Sequence, residues 1–141
     1  MHKLAFCKFI ILSLRNFAKM AKADKKHTGK RSGCPLSCSL DLVGDKWSLL
    51  IIRDMMFFGK STYNEFLDSP EGISTNILGD RLLTLTEVGL ITFSGTAKRK
   101  KYTLTKMGAD VKPILESIGM FGAKYFKGSK KYLEAQMKDF Q

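Results

Sequence analysis

The stretch Gly72–Thr92, GISTNILGDRLLTLTEVGLIT, carries the start, the stripe and the stop of one amphipathic helix. Ser74 is a natural N-cap, because its hydroxyl can accept from a free backbone N–H of the first turn. Ile73 before it and Leu78 four residues inside are placed to pack as a hydrophobic staple. Leu78, Leu82 and Leu85 recur at i, i+4 and i+7, one apolar stripe on a 3.6-residue period. Gly89 fits the left-handed residue that ends the helix. The other face carries Thr75, Asn76, Gly79, Asp80 and Arg81, small or hydrogen-bonding side chains with little bulk to keep a second surface away. Taken alone, such a face also describes a surface helix with solvated polar residues.

The residues after the helix narrow the choice. Leu90 to Ser94, then Gly95-Thr96-Ala97-Lys98-Arg99-Lys100, then Lys101 to Thr105 read as two short strands joined by a basic turn. β-branched and aromatic residues alternate on both sides of a Gly-containing loop, which is the hairpin signature. A polar-faced helix leading into a basic β-hairpin is the core of a winged helix-turn-helix.

A chain of 141 residues fits one compact domain with a tail. Its hydrophobic content of 44% with ten Phe belongs to a folded protein. The net charge of +11 is unevenly spread: residues 1–33 hold nine Lys or Arg against one acid, whereas residues 34–141 hold fifteen against twelve. Whole-chain basicity therefore describes the tail. The local concentration says more, since Lys98, Arg99, Lys100 and Lys101 put four positive charges on one hairpin. Cys7, Cys34 and Cys38 are too few and too irregular for a secreted disulfide framework. With only His2 and His27 to join them, they also make a poor metal site. The expectation is a reduced, cytoplasmic chain without metal or cofactor.

Upstream of the organising helix, Cys34-Pro35 opens the domain, with Cys34 as N-cap and Pro35 at the first helical position. Leu36, Leu40 and Val43 give this first helix its stripe, Cys38 is expected in the core, and Gly44 ends it. Asp45 caps a second helix in which Trp47, Leu50, Ile51 and Met55 line the buried side; it is apolar nearly all round, as a central helix is. Gly59 breaks it. Thr62 to Leu67 forms a short helix with Tyr63, Phe66 and Leu67 inward, and Ser69 to Gly72 turn the chain into the polar-faced helix, the spacing of a helix-turn-helix. Downstream, Thr105 caps a last long helix striped by Val111, Ile114, Leu115, Ile118, Phe121 and Tyr125. Pro113 lies inside that run and must kink the helix or delay its start. The domain's centre is already filled, so this stripe and the first helix are the natural self-association surface; the alternative is a stripe covering the domain's own core.

Residues 1–19 are apolar from Leu4 to Leu14 apart from Lys8, short of the roughly 20 residues a membrane span needs. They fit a short extra helix, a signal peptide in outline, or a start placed upstream of Met20. Residues 20–33 have the composition of a disordered leader. The division expected is a basic tail over 1–33, the winged-helix and dimerisation domain over 34–126, and an extension over 127–141.

From Cys34 to about Tyr125 the chain resembles the HxlR-type winged-helix transcriptional regulators, which are MarR-like. The motifs are Cys34-Pro35, GDKWSLLIIRD at Gly44–Asp54, GISTNILGDRL at Gly72–Leu82, EVGLI at Glu87–Ile91 and YTLTKMG at Tyr102–Gly108. The resemblance implies a mainly α fold with a small antiparallel hairpin, a homodimer formed by the N- and C-terminal helices, and binding to double-stranded DNA at a pseudo-palindromic operator. It places Ser74, Thr75, Asn76, Gly79 and Arg81 against DNA, with Lys98 to Lys101 on the wing. Many members carry an Arg where this chain has Thr62, and Lys60 beside Ser61 is the substitute for that phosphate contact. The wing also lacks the longer Pro-rich tip common in the family.

On this account the helix from Ser74 enters the major groove N-terminus first. Asn76 is the candidate for an adenine edge and Thr75 for a thymine methyl or a phosphate. Arg81 reaches guanine, phosphate or a neighbouring acid, and Asp80 is expected to orient it. Gly79 inside the helix suggests close backbone approach. The dimer surface comprises Leu36, Leu40, Ile114, Leu115, Ile118, Phe121 and Tyr125. Cys34, at a helix N-terminus behind Lys30 and Arg31, has the surroundings that favour a reactive thiolate. It is the candidate redox or electrophile sensor for an effector the sequence does not identify; the alternative is a cysteine packed at the subunit interface. A protein–protein interaction module without sequence readout is the rival function. An enzyme is not expected, since no His lies within the domain to serve a catalytic Cys and there is no phosphate-binding motif.

Overall fold

The computed structural model describes residues 32–97 and 99–129. The expectations for residues 1–31, for Lys98 and for 130–141 lie outside the described residues. Those residues fall into two units that divide between Gly44 and Asp45.

The first unit contributes α1, Pro35–Val43. Cys34 is its N-cap with extended backbone, Pro35 fills the first turn where its missing N–H costs nothing, and the Gly44 N–H closes the helix on the Leu40 carbonyl. Cys38 is half-buried, not in the core, and its Sγ donates to the Ser32 carbonyl at 3.6 Å. Four residues beyond the cap, it stays beside the segment that leads into the helix.

The second unit runs α2 (Ser48–Phe57), α3 (Tyr63–Leu67), α4 (Thr75–Glu87), β1 (Ile91–Thr96), β2 (Arg99–Leu104), α5 (Lys106–Ala109) and α6 (Lys112–Tyr125). Asp45 is not the N-cap of α2, which is Trp47 without a side-chain capping bond; the Asp45 Oδ1 instead closes the turn ahead, accepting from the Trp47 and Ser48 N–H groups at 2.8 and 3.0 Å. The helix itself begins at Ser48, one short turn later than a cap at Asp45 would place it. Its buried residues are Ser48, Ile51, Ile52, Asp54 and Met55, whereas Trp47 and Leu50 are only half-buried. The core of this unit also takes in Phe66 of α3, Leu78, Leu82 and Leu85 of α4, and Ile91 and Tyr102 of the hairpin. Phe66 meets the Tyr102 ring edge-on at 6.3 Å.

Among the described residues two polar side chains are buried in this core, Ser48 and the charged Asp54. Asp54 is 2% exposed, and its carboxylate takes Arg53 Nη2 at 2.6 Å, Lys60 Nζ at 3.0 Å and the Ser69 hydroxyl. Arg53 also grips Glu71 with two bonds, at 2.6 and 3.0 Å. The network ties the second helix to the loop before α3 and to the turn before α4, so it sets where the helix-turn-helix begins.

Three sequence expectations are corrected here. The strands are longer than the alternation alone delimits, pairing from Ile91↔Leu104 to Thr96↔Arg99. Arg99 and Lys100 therefore lie on β2 with Lys101, not in the turn; the ladder extends because Gly95, at φ +96°, lets the strand bend where a Cβ would come within 2.2 Å of the Arg99 carbonyl oxygen. The segment before α3 also joins the hairpin, Tyr102 N donating to the Ser61 carbonyl at 2.7 Å. Finally, Thr105 caps the four-residue α5, its hydroxyl accepting from Gly108 N, and the long helix starts only at Lys112. Pro113 is the reason: it is tolerated in a first turn but not further in.

The carboxylates of this unit predict the acid limb of its stability. Arg53 holds Glu71 below the usual carboxylate range. Backbone N–H groups of Ser61 and Thr62 do the same for Glu65. Burial pushes Asp45 up, but bonds from the Ser48 hydroxyl and the Trp47 and Ser48 amides, with Arg81 nearby, bring it down overall. Groups depressed in the folded state stabilise it above the unfolded carboxylate value of about 4 and lose that contribution as pH falls through their folded values. Thermal melts by circular dichroism should therefore be flat from pH 8 to about 5 and fall steeply below about 4. Glu71→Gln should lower the plateau and make the acid limb shallower.

Candidate nucleic-acid interface

The helix start is built as its residues require. Ser74 caps α4, its hydroxyl accepting from Ile77 N at 3.4 Å, and Ile73 and Leu78 are both buried beneath it. Gly89, at φ +80°, turns the chain out of the helix. Burial of Leu78, Leu82 and Leu85 leaves Ser74, Thr75, Asn76, Gly79 and Asp80 exposed. Upstream, α3 is held by a capping box: the Thr62 side chain takes the Glu65 amide while the Glu65 carboxylate returns to the Thr62 amide. The T-x-x-E spacing is legible in the sequence and marks the start of α3 more firmly than composition does. The Tyr63 hydroxyl then donates to the Thr75 carbonyl at 2.6 Å, pinning α3 to the first turn of α4.

β2 alternates, yet its cations Arg99, Lys100 and Lys101 all border one cleft. Phe93 pairs with Tyr102 and Gly95 with Lys100 across the hairpin, and the Lys100 ammonium lies 4.4 Å over the Phe93 ring. Arg99 and Lys101 sit on the alternate positions, opposite Thr96 and Ser94, and are exposed. Between α3, α4 and the hairpin lies an open cleft of about 750 Å³ lined by residues that include Tyr63, Asn64, Gly79, Arg99, Lys100 and Tyr102. Sequence reasoning did not place Tyr63, Asn64 or Tyr102 at this site; only the three-dimensional approach of hairpin to helix brings them together. Gly79 opens toward this cleft, where an added Cβ would find no atom nearer than the Tyr63 hydroxyl at 3.9 Å. No protein backbone presses on it.

Two expected contacts are engaged elsewhere. Lys60 is turned inward to Asp54 and to the Ser69 hydroxyl at 2.6 Å, so its charge serves the internal network rather than a phosphate. Arg81 pairs with Asp80, as its neighbour's position suggests, and reaches Asp45 at 3.5 Å. It fastens α4 to the loop before α2, and the bond from Asp80 raises its pKa further. Ser61 is half-buried, its backbone joined to both Glu65 and Tyr102.

Each unit also leaves apolar surface uncovered. On α1, Leu36 is 68% and Leu40 50% exposed. On α6, Ile114, Ile118, Met120, Phe121 and Tyr125 are exposed, with Phe126 just beyond, while Leu115 is half-buried. Only Val111 of the expected stripe reaches the core. Cys34 is exposed, and its sulfur makes no capping bond. Among the described residues no helix is long and apolar enough to cross a membrane.

Comparison with known proteins agrees with this architecture. The family model for the HxlR-like helix-turn-helix matches residues 42–130. An uncharacterized HTH-type transcriptional regulator of Mycobacterium tuberculosis is 34% identical over 75% of this chain, which spans 66% of that relative's length. The crystal structure of PA1607, a proposed transcription factor, superimposes with a TM-score of 0.62 at 37% identity, covering 69% of this chain and 68% of the other. The redox regulator HypR in its oxidized form gives a TM-score of 0.57 at 28% identity, covering 64% and 96%. The chain belongs to the HxlR-like helix-turn-helix family, a family of transcriptional regulators and not of enzymes.

Proposed function

We propose that this protein regulates transcription as a homodimer that reads a pseudo-palindromic operator in double-stranded DNA. The observation that carries the proposal is the exposed, small and hydrogen-bonding first half of α4, standing beside a cleft walled by a cationic hairpin. Helix α4 enters the major groove with Ser74, Thr75, Asn76 and Gly79 leading, and Arg99 and Lys101 hold phosphates, joined by Lys100 from inside the cleft and by Lys98. Phosphate contacts position the domain, and Asn76 reads a base edge. Ser61 and the capped start of α3 flank the same groove. Arg81 acts mainly as a strut. Residues 34–126 form the functional domain, with 1–33 as a basic tail and 127–141 as an extension.

The exposed apolar residues of α1, and separately those of α6, support dimerisation, since large apolar side chains left uncovered in this way mark an interaction site. Pairing Ile118→Asp with Phe121→Asp should convert a dimer to a monomer in sedimentation velocity, at unchanged circular dichroism. Hydroxyl-radical footprinting on DNA upstream of the chain's own gene tests the whole reading. Two protected half-sites about 10 base pairs apart are expected, and a single patch or none would contradict the dimeric docking.

Control by thiol modification of Cys34 is part of the proposal. The exposed sulfur at a helix start and the similarity to a redox regulator support it. Mild oxidation should change operator affinity in the wild type and leave Cys34→Ser unchanged; equal responses would remove Cys34 from the mechanism.

A further inference from the structure

We infer that Leu83 is a specificity-determining residue that reads a thymine methyl group, an inference that rests on the DNA-reading function proposed above. Leu83 is 59% exposed on α4, an unusual place for a large aliphatic side chain on a helix whose apolar residues are otherwise mostly turned inward. Its position is informative. Side chains that touch bases from a recognition helix recur at i, i+3, i+4 and i+7. Counted from Asn76, those positions are Gly79, Asp80 and Leu83.

Two of the four are removed as independent readers. Gly79 has no side chain, and Asp80 is bound to Arg81, which reaches on to Asp45. Asn76 and Leu83 remain, two helical turns apart on one stripe opposite buried Leu78, Leu82 and Leu85. Seven residues at 1.5 Å each separate them by roughly 10 Å, close to three base-pair steps of about 3.4 Å. An amide suits an adenine edge, and an isobutyl group suits the one apolar feature of the major-groove floor, the C5-methyl of thymine. The pair therefore reads a thymine about three base pairs from the adenine, in a groove that the absence of a side chain at Gly79 leaves open between them. Because Leu83 lies outside the core, its truncation leaves the fold intact.

The test begins with selection of duplexes from a randomised pool by the full-length reduced protein. The selected duplex is then remade with deoxyuridine in place of individual thymines, which deletes only the methyl group. Wild type should lose about fourfold in affinity per half-site at one thymine, the effect of withdrawing one buried methyl-sized group. That thymine should stand about three base pairs from a selected adenine. Leu83→Ala should bind the thymine and deoxyuridine duplexes equally. A selected duplex that wild type binds equally well with either base, or a deoxyuridine penalty unchanged in Leu83→Ala, overturns the inference and leaves DNA reading standing. A pool that yields no consensus overturns the DNA-reading function and this inference together.

Discussion

Asp54→Ala is expected to lower the unfolding free energy by about 3–5 kcal/mol, the cost of leaving buried ionic partners uncompensated. The carboxylate is 2% exposed and satisfies Arg53, Lys60 and the Ser69 hydroxyl together. Without it, two cations that are themselves about one fifth exposed face each other with only Glu71 left to balance them. Against a typical domain stability of about 5–15 kcal/mol, such a loss leaves a large unfolded fraction at 37 °C. Urea denaturation of wild type and variant measures it. Replacing Lys60 and Asp54 together, by Met and Leu, should restore much of the difference, because no buried charge is then stranded. A cost below about 1 kcal/mol for Asp54→Ala would mean that water reaches the cluster freely.

The second large effect separates two kinds of contact. Asn76→Ala should cost about 1–3 kcal/mol of discrimination at one base pair and leave binding to unrelated DNA unchanged. Arg99→Ala with Lys101→Ala should weaken binding to every sequence alike. It should also flatten the dependence of log K on log salt by about 0.9 for each phosphate no longer neutralised. Salt titrations of both variants on selected and scrambled duplexes distinguish the two. The structure makes the wing prediction specific, because Lys100, folded over Phe93, is expected to contribute less than its two neighbours.

The helix-turn-helix is legible because each local signal agrees with the next. Ser74, the stripe Leu78–Leu82–Leu85 and Gly89 fix the beginning, face and end of α4 by rules that act within one helix. Pro113 likewise signals a late start for the last helix, although Thr105, a good cap, serves a separate four-residue helix and not the long one. The hidden features depend on partners distant in sequence. Lys60 reads as a free cation until Asp54 and Ser69, six and nine residues away, claim it. The basic run reads as a turn, yet Arg99, Lys100 and Lys101 alternate along a strand while all bordering one cleft. The cleft residues Tyr63 and Tyr102 come from segments separated by much of the domain, and no periodicity announces their approach.

The most direct measurement is fluorescence anisotropy of the purified, reduced protein at near-physiological salt, on duplex selected from the upstream region and on the same bases scrambled. A preference of about 10³-fold or more is predicted, which would establish that α4 reads sequence while the wing supplies general affinity. Equal, weak and steeply salt-dependent binding to both duplexes would contradict the account. The hairpin's charge would then be holding DNA without readout, and the exposed faces of α4 and α6 would be better explained by a protein partner.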